Sequence, residues 1–394
     1  MPEPRLNILV ITTSYPLVKD SYSGIFVKRL IDHFPDDISV TVLTPDSRET
    51  NQPSTGVTRF RYAPKSLQTL AHKPGGIPVA LRANIFNYML LPSFLTATFI
   101  YACMLGRRHD LIHANWSING VIAGIAGKLL RKPVLVTLRG EDITRAKSSF
   151  LYRFLLNFCL NYLDRVICVS EDMLTGLQRD FPEHSGKLSV ITNGVDPILF
   201  ETPRNYSVRE ALSCISIGSL IHRKGYDITI RALALAAGKI RFRLLCIGDG
   251  PEKQALQTLV KTSGLEDRII FPGAMSPDQI SQELAGADLF ILSSRSEGRP
   301  NVLVEAMASG LPVIASDISG VSELIDDKVN GFLFESENYS QLAELIVQVA
   351  SDRAGREKTG INARITAKKI IPTWNTTAAA YCNAYTQIIG NYPA

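Results

Sequence analysis

Short β-branched runs alternate along this chain with loops and amphipathic stretches, a pattern that predicts strands followed by helices. The chain opens with a predicted strand at 7–13, a loop that contains Ser23 and Gly24, and a predicted helix at 25–34. Further strands are predicted at 39–43, 110–113, 134–138 and 165–169. This alternation is typical of a parallel sheet with helices on both faces.

The pattern starts again at 211–217, where an apolar run is followed by Gly218, the basic turn HRKG and a predicted helix at 226–237. Strands are then predicted at 243–247, 269–271, 289–292 and 313–315, and the aperiodic stretch 200–208 is the predicted linker. We therefore predict an α/β fold of two Rossmann-like domains, 1–200 and 208–372, with parallel sheets that face each other across a cleft. A last helix at 376–389, within the segment 373–394, is expected to pack back on the first domain.

Composition and charge add only a little to the prediction of function. The 42 basic and 37 acidic residues leave a net charge of +5, which fits a phosphate-bearing ligand or an anionic membrane surface and identifies neither. The six cysteines show no CxxC pair or metal-ligand spacing, so we expect buried free thiols in a reducing compartment. The N-terminus does not resemble a signal peptide, so we expect a cytoplasmic protein. We expect no nucleic acid among its partners.

The stretch 83–106 carries no charge and is flanked by Arg82 and by Arg107 and Arg108. Its 24 positions are enough to span a bilayer, but two asparagines, a proline and three hydroxyl side chains interrupt it. Three interpretations stay open: helices packed on a sheet, which the composition favours, contact with a membrane interface, and a true span. With the basic flanks, the second would place the protein peripherally at the anionic inner face of the cell membrane.

The densest chemical signal lies at 296–316, SEGRPNVLVEAMASGLPVIAS, which holds Glu297 and Glu305. Pro300 predicts a helix that begins at about residue 300 or 301, so Glu297 would precede the helix and Glu305 would lie about one turn inside it. A helix N-terminus suits a diphosphate or a sugar hydroxyl, and a carboxylate suits a ribose. The alternative is a pair of solvated surface glutamates beside an alanine-rich core helix.

This segment resembles the signature of retaining glycosyltransferase family 4, the glycosyl transferases group 1, whose members have the GT-B fold. Residues 217–225, IGSLIHRKG, are similar to the family's GR-L-x3-KG loop, with Lys224 in the lysine position. Ser219 replaces the family's arginine, and Arg223 is the nearby candidate to supply that charge. Further family-like motifs are SGIFVKRL at 23–30, LIHANW at 111–116, CVSEDM at 168–173, ITNGVD at 191–196, IGDGP at 247–251 and FPG at 271–273.

The resemblance implies a donor site in the second domain. Lys224 and Arg223 would neutralise the donor diphosphate, Glu305 would accept the ribose hydroxyls and Glu297 would contact the transferred sugar. Gly24 would let the loop of the first domain approach the phosphates. Residues 248–251 and 271–275 would surround the base. The complete set of expected donor-binding residues is Gly24, Ser219, Arg223, Lys224, Gly248, Gly250, Gly273, Glu297, Gly298, Pro300, Asn301 and Glu305.

The acceptor side is expected in the first domain. Many family members carry His where this chain has Arg139, and arginine cannot act as a base near neutral pH. Arg139 would instead bind a donor phosphate or an anionic acceptor, and Asp142 would orient its loop. His113, at a predicted strand end, is a weaker alternative, because such a histidine is more often a satisfied part of the core edge. Arg139, Glu297 and Lys224 are the expected catalytic residues.

The resemblance implies transfer with retention from a nucleotide diphosphate sugar to a glycan or lipid-linked acceptor, as in the synthesis of surface polysaccharides or glycolipids. We favour front-face attack, in which the leaving phosphate receives the acceptor proton. The chain has no D-x-D pair, so we expect no metal and no other cofactor.

Other functions share this architecture. A nicotinamide dehydrogenase is disfavoured because neither opening turn carries G-x-G-x-x-G, and Gly120, Gly124 and Gly127 are expected to serve helix packing instead. A sugar-nucleotide epimerase or a phosphorylase is less compatible with the E-x7-E segment and the KG loop. A catalytically silent binding module also stays open, because of Ser219 and Arg139.

Overall fold

The computed structural model describes residues 6–17, 23–48, 55–72, 75–204, 206 and 210–392. They fall into two units. The first unit comprises the described residues up to Gly194 together with those from Trp374 onward, and the second runs from Val195 to Thr373. The boundary thus precedes the predicted linker at 200–208, whose first two residues belong to the short helix Ile198–Glu201 and of which 205 and 207–209 lie outside the described residues.

The first unit is built on a sheet of seven parallel strands in the order β3-β2-β1-β4-β5-β6-β7. Strand β1, the third in this order, pairs with β2 on one side, where Ile8 lies opposite Val40, and with β4 on the other, where Ile8 lies opposite Leu111. The strands are β1 (Leu6–Ile11), β2 (Ile38–Pro45), β3 (Val57–Phe60), β4 (Leu111–Asn115), β5 (Val134–Leu138), β6 (Arg165–Cys168) and β7 (Leu188–Val190).

Helices cover both faces of this sheet, as the alternating pattern predicts. They are α1 (Ile25–Asp32), α2 (Gly76–Ala83), α3 (Asn87–Gly106), α4 (Ser117–Leu130), α5 (Glu141–Ser148), α6 (Phe150–Asn161) and α7 (Glu171–Asp180). The expected role of the small residues in α4 is confirmed: a Cβ on Gly120 would lie 2.6 Å from Cys159 Sγ, and one on Gly124 would lie 2.7 Å from Tyr162 Cβ. Glycine here lets α4 and α6 pack closely.

The uncharged stretch 83–106 forms the end of α2 and the long helix α3. By length and composition α3 is apolar enough to cross a bilayer, yet it packs against the sheet through the stripe Phe94, Thr98, Ala102 and Gly106. In the structure this stretch therefore forms helices packed on a sheet, which is the first of the three interpretations. Only 22% of the apolar segment within α3 is buried, so most of this helix lies outside the core.

The last helix of the chain belongs to the first unit. Residues Trp374–Asn391 form it, and Trp374, Ala378, Tyr381, Tyr385 and Ile388 are buried along one face at alternating spacings of four and three. They pack with core residues of β1, β4, β5 and β6. This apolar spacing is what a helix needs to cover a sheet.

The second unit has a sheet of six parallel strands in the order β10-β9-β8-β11-β12-β13. These are β8 (Leu212–Ile217), β9 (Phe242–Ile247), β10 (Ile269–Gly273), β11 (Leu289–Leu292), β12 (Val313–Asp317) and β13 (Phe332–Glu335). The helices are α8 (Ile198–Glu201), α9 (Tyr226–Ala236), α10 (Lys253–Thr262), α11 (Pro277–Gly286), α12 (Asn301–Ala308), α13 (Tyr339–Ser351) and α14 (Arg353–Ile370), followed by α15 (Trp374–Asn391) of the first unit.

Each sheet reverses its strand order once, between β1 and β4 in the first unit and between β8 and β11 in the second. Ligands of doubly wound sheets bind outside the carboxyl ends of the strands at such a point. The loops that follow these four strands are therefore the places to look for a site.

The cysteines only partly fit the expectation of buried thiols. Cys159, Cys168, Cys214 and Cys246 are buried, whereas Cys103 and Cys382 are half-buried, and all six are free.

Candidate active site

Two loops of the second unit meet at the reversal of its sheet. The loop after β8 and the loop after β11 are separated by more than 70 residues in the chain, but their strands are neighbours. Gly225 has φ 64°, and a Cβ there would lie 1.9 Å from the Ser293 carbonyl oxygen, so only glycine allows this approach. Ser293 Oγ also donates to the Gly225 carbonyl at 2.6 Å, which ties the loops together.

Opposite charges converge where the loops meet. Lys224 Nζ lies 2.5 Å from Glu297 Oε1, and Arg223 Nη1 lies 3.4 Å from Glu297 Oε2. Ser294 Oγ donates to Glu297 Oε1 at 2.7 Å. The side chains of Glu297 and Lys224 are 7% and 15% exposed, so this is a largely buried ion pair.

The charge state of Glu297 follows from these contacts. Burial by itself raises the pKa of this carboxyl, but the charges of Lys224 and Arg223 and the hydrogen bonds from Lys224 and Ser294 outweigh it and hold the pKa below its ordinary value. Glu297 is therefore an anion at neutral pH. It fixes the ammonium group of Lys224 at the carboxyl edge of the sheet.

Arg295 fixes the position of the basic turn at 222–224 by hydrogen bonds. Its guanidinium donates to both carboxylate oxygens of Asp227 at 2.9 and 2.8 Å and to the His222 carbonyl at 2.5 Å. Its backbone N–H donates to the Arg223 carbonyl at 2.8 Å. The hydrogen bonds that Arg295 donates to Asp227 and Glu337 raise its pKa, although burial opposes the rise, and the residue remains charged. Through these hydrogen bonds Arg295 connects the turn at 222–224, the loop that carries Glu297 and the first turn of α9.

Helix α12 begins at Asn301, as predicted, so Glu297 precedes the helix and Glu305 lies one turn inside it. Pro300 is the residue before the helix, and its side chain makes no capping hydrogen bond at this end. Glu305 is 6% exposed, which excludes the alternative of a solvated surface glutamate. A Cβ on Gly320 would lie 2.2 Å from the Gly298 carbonyl oxygen, so the loop after β12 packs directly on this turn.

The remaining expected donor residues line the neighbouring loops. A Cβ on Gly248 would lie 1.9 Å from the Gly218 carbonyl oxygen, and one on Gly250 would lie 2.3 Å from that of Leu220, so these glycines let the loop after β9 pack on the loop after β8. Gly273 ends β10 with φ 93° and has open space beside it. Ser219 lies half-buried in the loop after β8.

In the first unit, Arg139 follows β5 and is held by two asparagines. Its Nη1 donates to Asn193 Oδ1 at 2.9 Å, its Nη2 donates to Asn115 Oδ1 at 2.7 Å, and its guanidinium carbon lies 4.3 Å from the centre of the Phe26 ring. No ion pair neutralises Arg139 in the part of the chain that the structure describes, and its Nε is buried there without a hydrogen-bond partner. Burial lowers the pKa of Arg139 from its ordinary value, but a guanidinium keeps its charge at neutral pH. Arg139 is therefore a positioned cation that can hold an anion.

Asp142 supports the loop of Arg139, as expected. It accepts hydrogen bonds from the backbone N–H of Arg139 at 3.2 Å and from the backbone N–H and hydroxyl of Ser117 at 2.8 and 2.6 Å. Burial raises the pKa of Asp142, and these hydrogen bonds oppose the rise.

Gly24 precedes α1 with φ 69°, and a Cβ there would lie 2.2 Å from the Ser14 carbonyl oxygen. This close contact within the loop requires glycine at position 24.

The position predicted for His113 is wrong. Strand β4 continues to Asn115, so His113 lies inside the strand and is 1% exposed. Its Nδ1 and Nε2 are 2.8 Å from the hydroxyls of Tyr385 and Thr137, and burial, aided by the charge of Arg139, lowers its pKa to about 3. His113 is a neutral core residue in this structure, and an acceptor has no access to it.

Several site residues were missed from the sequence. Ser293, Ser294 and Arg295 follow β11 directly, and the rule of inspecting the residues after each strand would have found them. Asn115 and Asn193 end β4 and follow β7, but only the fold shows that both reach Arg139.

Comparison with known proteins shows the family of the chain. The model of Glycosyltransferase Family 4 matches residues 23–198, and that of Glycosyl transferases group 1 matches residues 205–366. The chain belongs to this family of glycosyltransferases. Together the two matches cover both units, including the loops that carry Arg139, Lys224 and Glu297.

Two curated relatives illustrate the range of the family. The N-acetyl-alpha-D-glucosaminyl L-malate synthase of Bacillus anthracis is 27% identical over 65% of this chain and 69% of its own length. The UDP-Gal:alpha-D-GlcNAc-diphosphoundecaprenol alpha-1,3-galactosyltransferase of Escherichia coli is 26% identical over 68% of this chain and 73% of its own length.

The fold has a close structural counterpart. The crystal structure of Anabaena Alr3699/HepE in complex with UDP and glucose has a TM-score of 0.77 and 22% identity, over 97% of this chain and all of that chain. The predicted GT-B fold of two Rossmann-like domains is thereby confirmed. Among the described residues, no group of three or more His, Cys, Asp or Glu side chains is placed to hold a metal ion.

Proposed function

We propose that this glycosyltransferase transfers a sugar with retention of configuration, without a metal or other cofactor, from a nucleotide diphosphate sugar to a glycan or lipid-linked acceptor. The observation that carries the proposal is the buried pair of Lys224 and Glu297 beside the N-terminus of α12. An ammonium, a guanidinium and the positive end of a helix dipole at one sheet edge suit a diphosphate. A carboxylate beside them suits sugar hydroxyls.

The proposed reaction needs a stabilised leaving group. The bond between the anomeric carbon and the phosphate oxygen breaks, and its electron pair stays on the diphosphate. The acceptor oxygen attacks the same face of the sugar, and its proton passes to the leaving phosphate. Lys224 and Arg223 would stabilise the charge that develops on the diphosphate, a role that Mg²⁺ has in other transferases. Glu297 would orient both Lys224 and the transferred sugar.

The relatives suggest the chemical class of both substrates. HepE has been crystallised with UDP-glucose, and the name of the Escherichia coli relative specifies a UDP-sugar and a diphosphoundecaprenol-linked acceptor. We therefore propose a uridine diphosphate sugar as the first donor to test. The proposed role is in polysaccharide or glycolipid synthesis in the cytoplasm at the inner face of the membrane. Arg139 would bind an anionic part of either substrate.

The test is turnover of a panel of nucleotide sugars, including UDP-glucose and UDP-galactose, by wild type, Lys224→Met and Glu297→Gln. Both variants are expected to lose at least about 100-fold in kcat/KM. Lys261→Met, which removes an exposed lysine from α10, serves as the matched control and is expected to behave as wild type. Undiminished turnover in both site variants would contradict the assignment. Binding of nucleotide without any turnover would indicate a silent module.

Product analysis and chelation complete the test. The α- or β-configuration of the product, read by NMR coupling constants, must match that of the donor. An epimerised nucleotide sugar as the product would favour the alternative of an epimerase. Activity that EDTA abolishes and Mg²⁺ restores would contradict metal independence.

A further inference from the structure

The first unit exposes two apolar helix ends at one edge of its sheet. At the start of α3, Ile85, Phe86, Tyr88 and Met89 are 78%, 70%, 54% and 76% exposed. At the start of α6, Phe150, Leu151, Phe154 and Leu155 are 86%, 62%, 56% and 41% exposed. We refer to these two groups as the α3 prong and the α6 prong. Single exposed apolar side chains are common on protein surfaces, whereas groups of large ones mark interaction sites.

Helix register explains why these residues are not covered. Gly120, three residues after the start of α4, packs on Cys159 of α6, which is nine residues after the start of that helix. Gly106, 19 residues after the start of α3, packs on Leu130, 13 residues after the start of α4. Since α4 runs parallel to both neighbours, α3 and α6 each extend beyond its first residue by about six residues, or about 9 Å.

The two prongs lie at the edge that carries the acceptor-side residues. Helices α3 and α6 lead into the amino ends of β4 and β6, so their own first residues lie at the carboxyl edge of the sheet. Arg139 and Asp142 follow the carboxyl end of β5, which lies between β4 and β6. The prongs therefore stand on either side of the start of α4, at the same edge as Arg139.

Charge identifies the partner that these prongs fit. The segments 75–89 and 139–157, which contain both prongs and the residues that follow β5, hold five Lys and Arg and two Asp and Glu, a net charge of +3. The two acidic residues there are Glu141, which forms an ion pair with Arg145, and Asp142, which supports the Arg139 loop. Arg82 and Lys147, close in sequence to the prongs, are exposed. Apolar side chains within a cationic region match the acyl boundary and headgroups of an anionic bilayer.

We propose that the α3 and α6 prongs insert into the surface of an anionic membrane and set the carboxyl edge of the first sheet against it. This deepens the proposed function and rests on it for its purpose, since a lipid-linked acceptor would then be presented beside Arg139. The contact is peripheral, because one face of α3 belongs to the protein core. It differs from a contact made by the whole apolar stretch, since half of the surface comes from α6.

The experiment is flotation of the full-length protein with vesicles of phosphatidylcholine, with or without 30 mol% phosphatidylglycerol, at low and high salt. Wild type is expected to float with the anionic vesicles and to dissociate as salt rises. Phe86→Ser/Met89→Ser and Phe150→Ser/Leu151→Ser are each expected to bind at least about tenfold more weakly. Ile361→Ser/Ile365→Ser on α14, where the side chains are 46% and 61% exposed, is the matched control and is expected to bind as wild type.

The outcomes separate this inference from the proposed function. Wild type that stays soluble with anionic vesicles, prong variants that bind like wild type, or a control that loses as much would each overturn the membrane surface. So would a wild-type dimer that the prong substitutions convert to a monomer while vesicle binding is unchanged, because the prongs would then be a self-association surface. Donor turnover is measured on the same variants without vesicles and is expected to be unchanged. Absent turnover in wild type refutes the function and leaves the flotation result intact.

Discussion

Removal of Lys224 would leave Glu297 as a buried carboxylate with a weaker counterion. Breaking a buried ion pair by deleting one partner costs about 3–5 kcal/mol. Lys224 is 15% exposed and Arg223 stays 3.4 Å from Glu297, and both features reduce the loss. We therefore expect Lys224→Met to destabilise the second unit by about 2–3 kcal/mol and Glu297→Gln by about 1–2 kcal/mol. The double variant should lose about 1–2 kcal/mol less than the sum of the two.

The loss caused by Lys224→Met should depend on pH. In wild type the pKa of Glu297 is below its ordinary value, so its stabilising effect is present above the unfolded pKa of about 4.3 and is lost as pH falls through the folded pKa. Without Lys224 the effect of burial is less opposed, and the pKa of Glu297 rises. The destabilisation by Lys224→Met should therefore shrink as pH falls from about 7 to about 5. In the Glu297→Gln background it should not change over this range.

The measurement must report on the second unit. Both tryptophans, Trp116 and Trp374, belong to the first unit, so their fluorescence follows the wrong part of the chain. Hydrogen exchange of amides in β11 and β12 reports on the second unit, and a loss of 2–3 kcal/mol appears there as exchange about 30- to 150-fold faster. Amides of β4 and β5 serve as the internal control. Strictly additive losses at pH 7 would show that the pair does not form in solution, which would remove the basis of the donor site.

Three further substitutions test other contacts. Gly225→Ala would put a Cβ 1.9 Å from the Ser293 carbonyl oxygen and should destabilise the second unit by at least about 3 kcal/mol by the same exchange measurement, whereas Gly264→Ala, at φ 66° with nothing within 4 Å, should cost about 1 kcal/mol. Arg295→Lys loses the paired hydrogen bonds to Asp227 and should raise the KM for donor roughly tenfold with a smaller change in kcat, and Arg295→Met should raise it further; equal effects on KM and kcat would argue against a positioning role. Arg139→His should give activity that falls as pH rises through about 6.5, because imidazolium loses its charge there, and a flat profile would contradict the role of Arg139 as a cation.

The local features of the fold were readable from the sequence. The strands predicted at 134–138 and 289–292 coincide with β5 and β11, because their runs of apolar residues are bounded by clear breaks. The start of α12 was predictable because proline is favoured where a helix begins, and here Pro300 directly precedes it. These features depend on a few adjacent residues.

His113 shows where such reasoning stops. Whether a histidine lies at the edge of a core or inside it depends on the elements that cover it, and His113 is covered by Tyr381 and Tyr385, about 270 residues further along the chain. The same holds for Arg139, whose partner Asn193 is 54 residues away and whose partner Asn115 ends a neighbouring strand. Contacts of this kind follow from strand order, which periodicity does not report.

The donor site shows how strand order creates function from separated motifs. Lys224 and Glu297 are 73 residues apart, and β9 and β10, which come between them in the chain, lie on the far side of β8 in the sheet. If β11 had been added next to β10, the loop after β11 would lie three strands away from the loop after β8, at about 4.8 Å per strand, and Lys224 could not reach Glu297. Because the sheet reverses at β8, the basic turn and the carboxylate meet instead, and the resulting ion pair is buried before any substrate arrives. The site is thus a consequence of the doubly wound topology, and single substitutions at Lys224, Gly225 or Arg295 probe that topology as directly as they probe the chemistry.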